Sequence, residues 1–558
     1  MAVAYSILLA LLTGALLGVA FPAIGDLPIF AFVALVPLLA VEDRFDRNRK
    51  RGTGWILPYA FLSFLSYNFI TTWWIYYASP GGMIMAVLAN GLLMALVFLC
   101  FHYTKRVLGP QRGYIGLFFY WIGFEWLHLN WELSWPWLNL GNIFATRVDW
   151  VQWYEYTGVL GGTLWILVVN VLVFRFIRHL FITPRSKRKL FVDVPLLLFF
   201  GFVPYFWSGS ILSDLKEKEK GEKVEVALIQ PNIDPYTEKF PNGKNFISYD
   251  GQFQRIMKWA RKAARKTDPD LFIAPETSLL PASSLPSYSP YFLLERLDSY
   301  QRIESMRSFL RKEGSARFLI GLSMKEHFDT SKAPSSSARS LQDTSGFIEL
   351  YNSALQVPPK GKIGIHHKTR LVLGVEKIPF SGWLPFLEDF AIELGGSSGS
   401  LGTQEGPSVF GPTKPSQDPS RVVPLICYES VYGGFVADAV REKGANVLAV
   451  ITNDGWWSKT PGYKQHLAFA RLRAVETRKA VARSANTGIS AIIDRTGDIK
   501  ARTSWWEQDV LTGTIRRNKG FTFYALQGDG IGRLFGFLAL LLLPYTVVRQ
   551  VKQRSERH

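Results

Sequence analysis

Cys427 ends the apolar run VVPLIC and begins the turn-like CYES. It is one of two cysteines in 558 residues. The other, Cys100, lies inside a hydrophobic stretch and is expected only to pack there. A thiol without a disulfide partner is a hazard in an oxidising compartment unless it does chemistry. It attacks as thiolate, yet a free pKa of about 8.5 leaves it mostly protonated. A carboxylate can take that proton, and an ammonium can hold the oxyanion formed by attack on a carbonyl. Glu276, in APETS, and Lys368, in HHKTRLV, are of those types. Each residue alone also has an ordinary explanation: a helix cap, a solvated lysine, a core thiol.

Position favours the chemical reading. Glu276 and Cys427 each follow an apolar strand pattern, where open α/β sheets hold their ligands. Strand patterns fall at 224–230, 271–275, 317–322, 353–357, 422–427, 446–452, 489–494 and 510–515. Amphipathic helices are expected at 249–266, 297–313, 433–443 and 464–483. The alternation implies a layered α/β core. The Ser-rich stretch 328–346 reads as a mobile surface loop, and 398–420 as a second loop region.

On both sides of this soluble part the chain is apolar. Segments near 5–22, 27–41, 55–77, 81–103, 114–130, 158–178, 190–209 and 530–548 approach the roughly 20 residues that cross a bilayer, about eight spans in all. The second is short, and the fifth contains Glu125. That carboxylate either faces the bundle interior or, more simply, sits at a helix end with Trp126 and His128. The organisation expected is a membrane domain at 1–212, a soluble domain at 213–529, and a last span with a basic tail at 530–558.

Basic residues give the orientation. Arg44, Arg47, Arg49, Lys50 and Arg51 follow the second span; Lys105, Arg106 and Arg112 the fourth; Arg175, Arg178, Arg185, Lys187, Arg188 and Lys189 the sixth. Arg549, Lys552, Arg554 and Arg557 follow the last. All four groups share one parity, so the amino terminus is cytoplasmic and the soluble domain lies outside. The first span lacks the basic region of a signal peptide. The Trp-rich loop 131–158 is then external, as an interfacial anchor or as a lining for lipid entry. The formal net charge of +18 suits an anionic membrane surface. No zinc spacing, P-loop, GxGxxG before a helix or aromatic-basic RNA motif occurs, so neither nucleic acid, metal nor cofactor is expected. His366 and His367 are adjacent and read as ordinary polar residues.

APETS, HHKTRLV and ICYES, in that chain order, resemble the nitrilase superfamily. Together with LIQPNI (228–233), PWLNLGN (136–142), TNDGWW (452–457), QHLAFARLRAVETRK (465–479), ANTGISAIIDRTG (485–497) and the flanking spans, the whole chain resembles its membrane-embedded branch, the apolipoprotein N-acyltransferases. The resemblance implies an α-β-β-α sandwich joined to a multispan helical bundle in a bacterial inner membrane, with the catalytic domain periplasmic. It implies Glu276 as general base and acid, Lys368 as oxyanion stabiliser helped by a backbone N–H, and Cys427 as nucleophile. It adds Glu376 as a second carboxylate, with Tyr428 and Glu429 supporting the cysteine turn. Two departures concern local geometry: LGV (373–375) replaces Pro-Phe-Gly, and His366 replaces a tyrosine.

The implied reaction moves an acyl chain from a phospholipid, phosphatidylethanolamine by resemblance, onto Cys427. The chain then passes to the α-amino group of a diacylglyceryl-cysteine apolipoprotein. A membrane-tethered amidase would use the same triad with water as acceptor, though one span would suffice to anchor it. A lipid-binding or transport protein with a degenerate domain is the non-enzymatic alternative, and it sits poorly with three intact triad positions.

Overall fold

The structure is a computed structural model. It describes residues 2–48, 52–182, 190–217, 221–281, 290–313, 316–341, 346–380, 400–412 and 420–556. The basic residues Arg49, Lys50, Arg51, Arg185, Lys187, Arg188, Lys189 and Arg557 lie outside the described residues, as do parts of both expected loop regions. Two compact units form: Met1–Glu217 with Gln527–His558, and Lys218–Leu526.

The first unit is helical. Among the described residues, five helices are long and apolar enough to cross a membrane: Val3–Ala20, Pro80–Leu108, Val159–Phe181, Leu190–Glu217 and Gly530–Ser555. Two more of the eight expected spans are shorter helices, Leu57–Thr72 and Tyr114–Asn130. The second expected span is not one helix. A 3-10 turn, Pro28–Phe32, precedes a helix, Val36–Arg47, whose last turns are charged. Non-helical backbone among apolar neighbours needs polar partners, and Asn170 supplies them. Its Oδ1 accepts from Leu35 N at 2.8 Å and its Nδ2 donates to Ala31 O at 2.7 Å. Elsewhere small residues allow close packing: a Cβ at Gly123 would lie 3.0 Å from the Cα of Gly536.

Glu125 does not sit at an interface. It is buried, and accepts from Trp121 Nε1 (3.0 Å), Leu140 N (2.8 Å) and Thr163 Oγ1 (2.6 Å). It therefore ties the Trp-rich loop to two helices. Trp137 and Trp153 of that loop are also buried, Trp137 packing on Trp74 with ring centroids 5.2 Å apart. Folding the loop back onto its own unit, rather than spreading it, is what the Glu125 carboxylate requires.

The second unit contains thirteen strands among the described residues. They are β1 (Lys223–Gln230), β2 (Leu271–Ile273), β3 (Tyr291–Leu293), β4 (Arg317–Phe328), β5 (Arg339–Ser340), β6 (Phe347–Val357) and β7 (Gly364–His367), then β8 (Val422–Ile426), β9 (Val447–Thr452), β10 (Ala480–Ala485), β11 (Ala491–Ile493), β12 (Ile499–Arg502) and β13 (Asp509–Arg516). One sheet runs β13-β1-β2-β4-β6-β5, with β3 paired to β4 and β7 to β6; the other runs β12-β11-β10-β9-β8. β1, β2 and β4 are parallel neighbours, as are β8, β9 and β10.

Side-chain alternation builds the layers. Val224, Val226 and Leu228 of β1 join Val447, Ala449 and Ile451 of β9 in the core between the sheets. Ala227 and Ile229 point the other way, into a core formed with Phe253, Ile256 and Met257 of the helix Tyr249–Lys266 and Ile303 and Met306 of the helix Gln301–Lys312. The helix Pro461–Thr477 packs on β10, and the helix Gly433–Lys443 packs on that helix. This is the expected α-β-β-α sandwich.

The helix expected at 464–483 stops early. Arg478 takes φ 54°, which ends the helix, and residues 480–485 become β10, parallel to β9. A short buried strand and a buried helix end share one apolar pattern, so only pairing with β9 separates them.

Replacing Asn170 by Leu leaves the Leu35 N–H and the Ala31 carbonyl without their partner. The variant is expected to lose about 1–3 kcal/mol, read as a lower thermal unfolding midpoint in detergent, with the Gly123 contact untouched.

Candidate active site

Strand ends supply most of the site. Glu276 follows β2, Lys368 follows β7 and Cys427 follows β8. Lys368 N donates to Asn352 O of β6 at 2.8 Å, which fixes the root of the lysine. Its ammonium lies 3.2 Å from Glu276 Oε1 and 2.9 Å from Glu376 Oε1, all three groups being buried. Asn352 Nδ2 donates to the same two oxygens, at 2.8 and 2.9 Å. Asn453 N, at the end of β9, donates to Glu276 Oε2 at 3.2 Å. Asn352 and Asn453 escaped the sequence reading because an asparagine carries no signal of its own; the TNDGWW match was the one hint.

The departures from the family pattern leave Glu376 seated. The LGV segment forms a tight turn with Gly374 at φ 79°, and Glu376 Oε2 accepts from Val372 N at 2.9 Å. His366 is not an ordinary strand residue. Its Nε2 lies 3.1 Å from Glu429 Oε2, and Glu429 also accepts from Thr369 N (2.7 Å) and Ile426 N (2.8 Å). Glu429 thus buckles the lysine segment to the cysteine turn. Tyr428 is buried beside it, edge-on to Tyr432 at 5.2 Å.

The backbone is forced at two of these positions. Cys427 has φ 49° and Thr277, directly after Glu276, has φ 46°. Side chains rarely adopt this left-handed region, and the cost persists only where surroundings over-determine it. At Thr277 the buried Lys239 ammonium donates to the hydroxyl. At Cys427 the carbonyl accepts from Ser430 Oγ at 2.8 Å.

Charge states follow from burial and neighbours. Burial opposes ionisation of Glu276, but the Lys368 ammonium and the Asn352 amide outweigh it and hold the carboxyl below its ordinary value. Burial also opposes the Lys368 charge, and Glu276 and Glu376 more than restore it. Burial pushes the Cys427 thiol well up, Glu276 adds to that, and Lys368 opposes it. Burial pulls Lys239 down to about 8. The resting arrangement is therefore carboxylate, ammonium and neutral thiol. Such a set can take a proton from sulfur and stabilise an oxyanion, the two demands of acyl transfer.

Paired sheets with a carboxylate, an ammonium and a thiol at the strand ends define a hydrolase-type domain acting on acyl carbon. Residues 225–520 match the family Carbon-nitrogen hydrolase, and residues 13–172 match Apolipoprotein N-acyltransferase N-terminal domain. The chain is 31% identical to an apolipoprotein N-acyltransferase of Chlorobaculum tepidum over 97% of its own length and 96% of that protein's. It is 27% identical to one of Geobacter metallireducens (94% and 91%) and 25% to an apolipoprotein N-acyltransferase 1 of Treponema denticola (99% and 98%). The chain belongs to the apolipoprotein N-acyltransferase family.

Glu429→Ala leaves the buried His366 and Ile426 donors and the half-buried Thr369 N–H without their acceptor. We expect a loss of about 3–5 kcal/mol, together with faster maleimide labelling of Cys427 by intact mass, because the turn is no longer buckled to the lysine segment.

Proposed function

We propose that this protein transfers an acyl chain from a membrane phospholipid, phosphatidylethanolamine, to the α-amino group of the diacylglyceryl-cysteine of apolipoproteins, through a thioester on Cys427. Membership of the family supports the acceptor. The observation that carries the chemistry is the Lys368 ammonium, held between Glu276 and Glu376 and acting electrostatically on the Cys427 thiol.

In the first half-reaction the Glu276 carboxylate takes the proton from Sγ as sulfur attacks the ester carbonyl. The C–S bond forms, and Lys368 and a backbone N–H beside Cys427 hold the oxyanion. The C–O ester bond then breaks. Glu276 returns its proton to the leaving oxygen, lysophospholipid departs, and the acyl chain stays on sulfur. Because the thiol resists ionisation and Glu276 stays ionised, proton transfer and attack belong to one step, not to a standing thiolate. In the second half-reaction Glu276 takes a proton from the acceptor amine, nitrogen attacks the thioester, and the C–S bond breaks. The proton returns to Cys427, which closes a ping-pong cycle.

Glu376 orients Lys368, and Tyr428 and Glu429 support the turn. The membrane domain comprises 1–212 and 530–558, with the catalytic domain at 213–529 on the periplasmic side of the inner membrane. The parity of the basic loops supports that orientation.

Intact mass of the purified protein incubated with phosphatidylethanolamine and no acceptor tests the scheme. An added acyl mass that hydroxylamine removes, absent in Cys427→Ala, is expected. Free fatty acid with no adduct would favour the hydrolase, and untouched lipid the non-enzymatic alternative.

The pH dependence of thioester formation has a definite sign. A depressed Glu276 pKa keeps the base ionised until pH falls below the ordinary carboxylate range, so the acid limb lies there. Asn352→Leu removes a donor that favours the charged form. Its acid limb should move to higher pH while the rate above pH 7 falls less. An unmoved limb would count against Glu276 as the base.

A further inference from the structure

The Cys427 carbonyl meets a second buried group of charged residues that the scheme above does not use. His466, on the helix Pro461–Thr477, places Nε2 3.1 Å from Cys427 O and 3.0 Å from Ser430 Oγ. Its Nδ1 lies 3.0 Å from Asp454 Oδ1. Asp454 also accepts from Thr452 Oγ1 at 2.8 Å and, through Oδ2, from Arg483 Nη2. The Arg483 nitrogen is 3.3 Å from Nδ1 as well, and the Trp457 ring stands beside the imidazole at 5.7 Å. His466, Asp454, Arg483, Ser430 and Thr452 are all fully buried.

Burying an aspartate, an arginine and a histidine together is costly compared with an apolar core, so its retention calls for a reason. Ser430, His466 and Asp454 lie in the order of a serine-type triad, but Ser430 is sealed from any substrate and its hydroxyl is engaged with Cys427 O. What the network does touch is the one carbonyl of a residue held at φ 49°. Rotation of that carbonyl would release the left-handed turn and carry Sγ out of the field of Glu276 and Lys368.

We propose that His466 is a positioning residue for the nucleophile. With Arg483, itself pinned by Asp454, donating to Nδ1, the ring carries its proton on Nε2 and, with the Ser430 hydroxyl, fixes the Cys427 carbonyl and so the direction of Sγ. This rests on the thioester reading. Arg483 orients the ring, and Asp454 holds Arg483 in place.

Two amide substitutions separate positioning from bulk stability. In His466→Gln the side-chain amide reaches as far as Nε2 and can donate to Cys427 O. In His466→Asn it reaches only as far as Nδ1 and can serve Asp454 alone. The rate of thioester formation from phosphatidylethanolamine, by single-turnover intact mass, should fall about tenfold to hundredfold in the Asn variant, with an unchanged KM for the donor. The Gln variant should recover most of the rate. Equal rates in wild type and both variants would overturn the assignment. So would equal losses in both, or a KM that rises as kcat falls, because a merely structural role predicts those. If either variant fails to fold, Ser430→Ala, which removes only the second donor, should slow thioester formation without changing KM, and a wild-type rate there would overturn it. Alkylation of Cys427 by iodoacetamide, run in parallel, needs no lipid. If wild type forms no thioester, the proposed function falls, while the Gln–Asn contrast in alkylation still decides the role of His466.

Discussion

The catalytic unit is arranged around one buried ammonium between two buried carboxylates. Lys368 makes ionised Glu276 tolerable without water, and Glu276 and Glu376 together keep Lys368 charged. Asn352 donates to both carboxylates and supplies, through its carbonyl, the acceptor for the lysine backbone. Removing a charged partner would leave an uncompensated charge in a low dielectric; Glu276 and Lys368 follow strands of one sheet, and Glu376 reaches them from the turn after Lys368. The carboxylate and the ammonium are already set in place, which the proposed acyl transfer draws on.

The same electrostatics govern the Cys427 thiol. Burial and the neighbouring Glu276 keep Cys427 protonated, and a protonated thiol is a poor target for oxidants. Reactivity then depends on a carbonyl carbon arriving beside sulfur. The turn that presents Sγ is strained, and Glu429 holds it from one side through Ile426 N and Thr369 N. The histidine that replaces the family's tyrosine at 366 donates to that same glutamate, so the substitution changes the donor but keeps the buckle.

The helical unit solves a different problem with similar means. Where its backbone leaves the helix, side-chain amides and a carboxylate satisfy the freed groups: Asn170 at the break before Val36, and Glu125 at the entry to the Leu140–Thr146 turn. Five long apolar helices among the described residues, and a sandwich domain in the same chain, fit an acyl transfer to lipoproteins.

Much was legible in the residue pattern. Short apolar runs marked β1, β8, β9 and β13, and the amphipathic helices 249–266 and 433–443 fall where their polar–apolar spacing put them. Cys427 and Glu276 stood out because each is a reactive type at a strand end, and Lys368 by its type; the place of Lys368 in the set, with Glu376, Tyr428 and Glu429, came with the resemblance. Other features depended on long-range packing. β10 looked like helix because a short buried run has no period of its own until β9 pairs with it. Glu125 looked like a helix-end residue because its three donors come from 4, 15 and 38 positions away. Asn352 and Lys239 carry no local signal, and the TNDGWW and QHLAFARLRAVETRK matches contain Asp454 and His466 without showing that they meet Arg483. The sequence by itself pointed to the reactive side chains and to apolar spans around a layered α/β domain, which follow from residue type and periodicity, while the sandwich came with the family resemblance. Only the tertiary structure decided the charge states and the aim of the thiol, because burial, ion pairing and a left-handed turn arise when distant segments close around them.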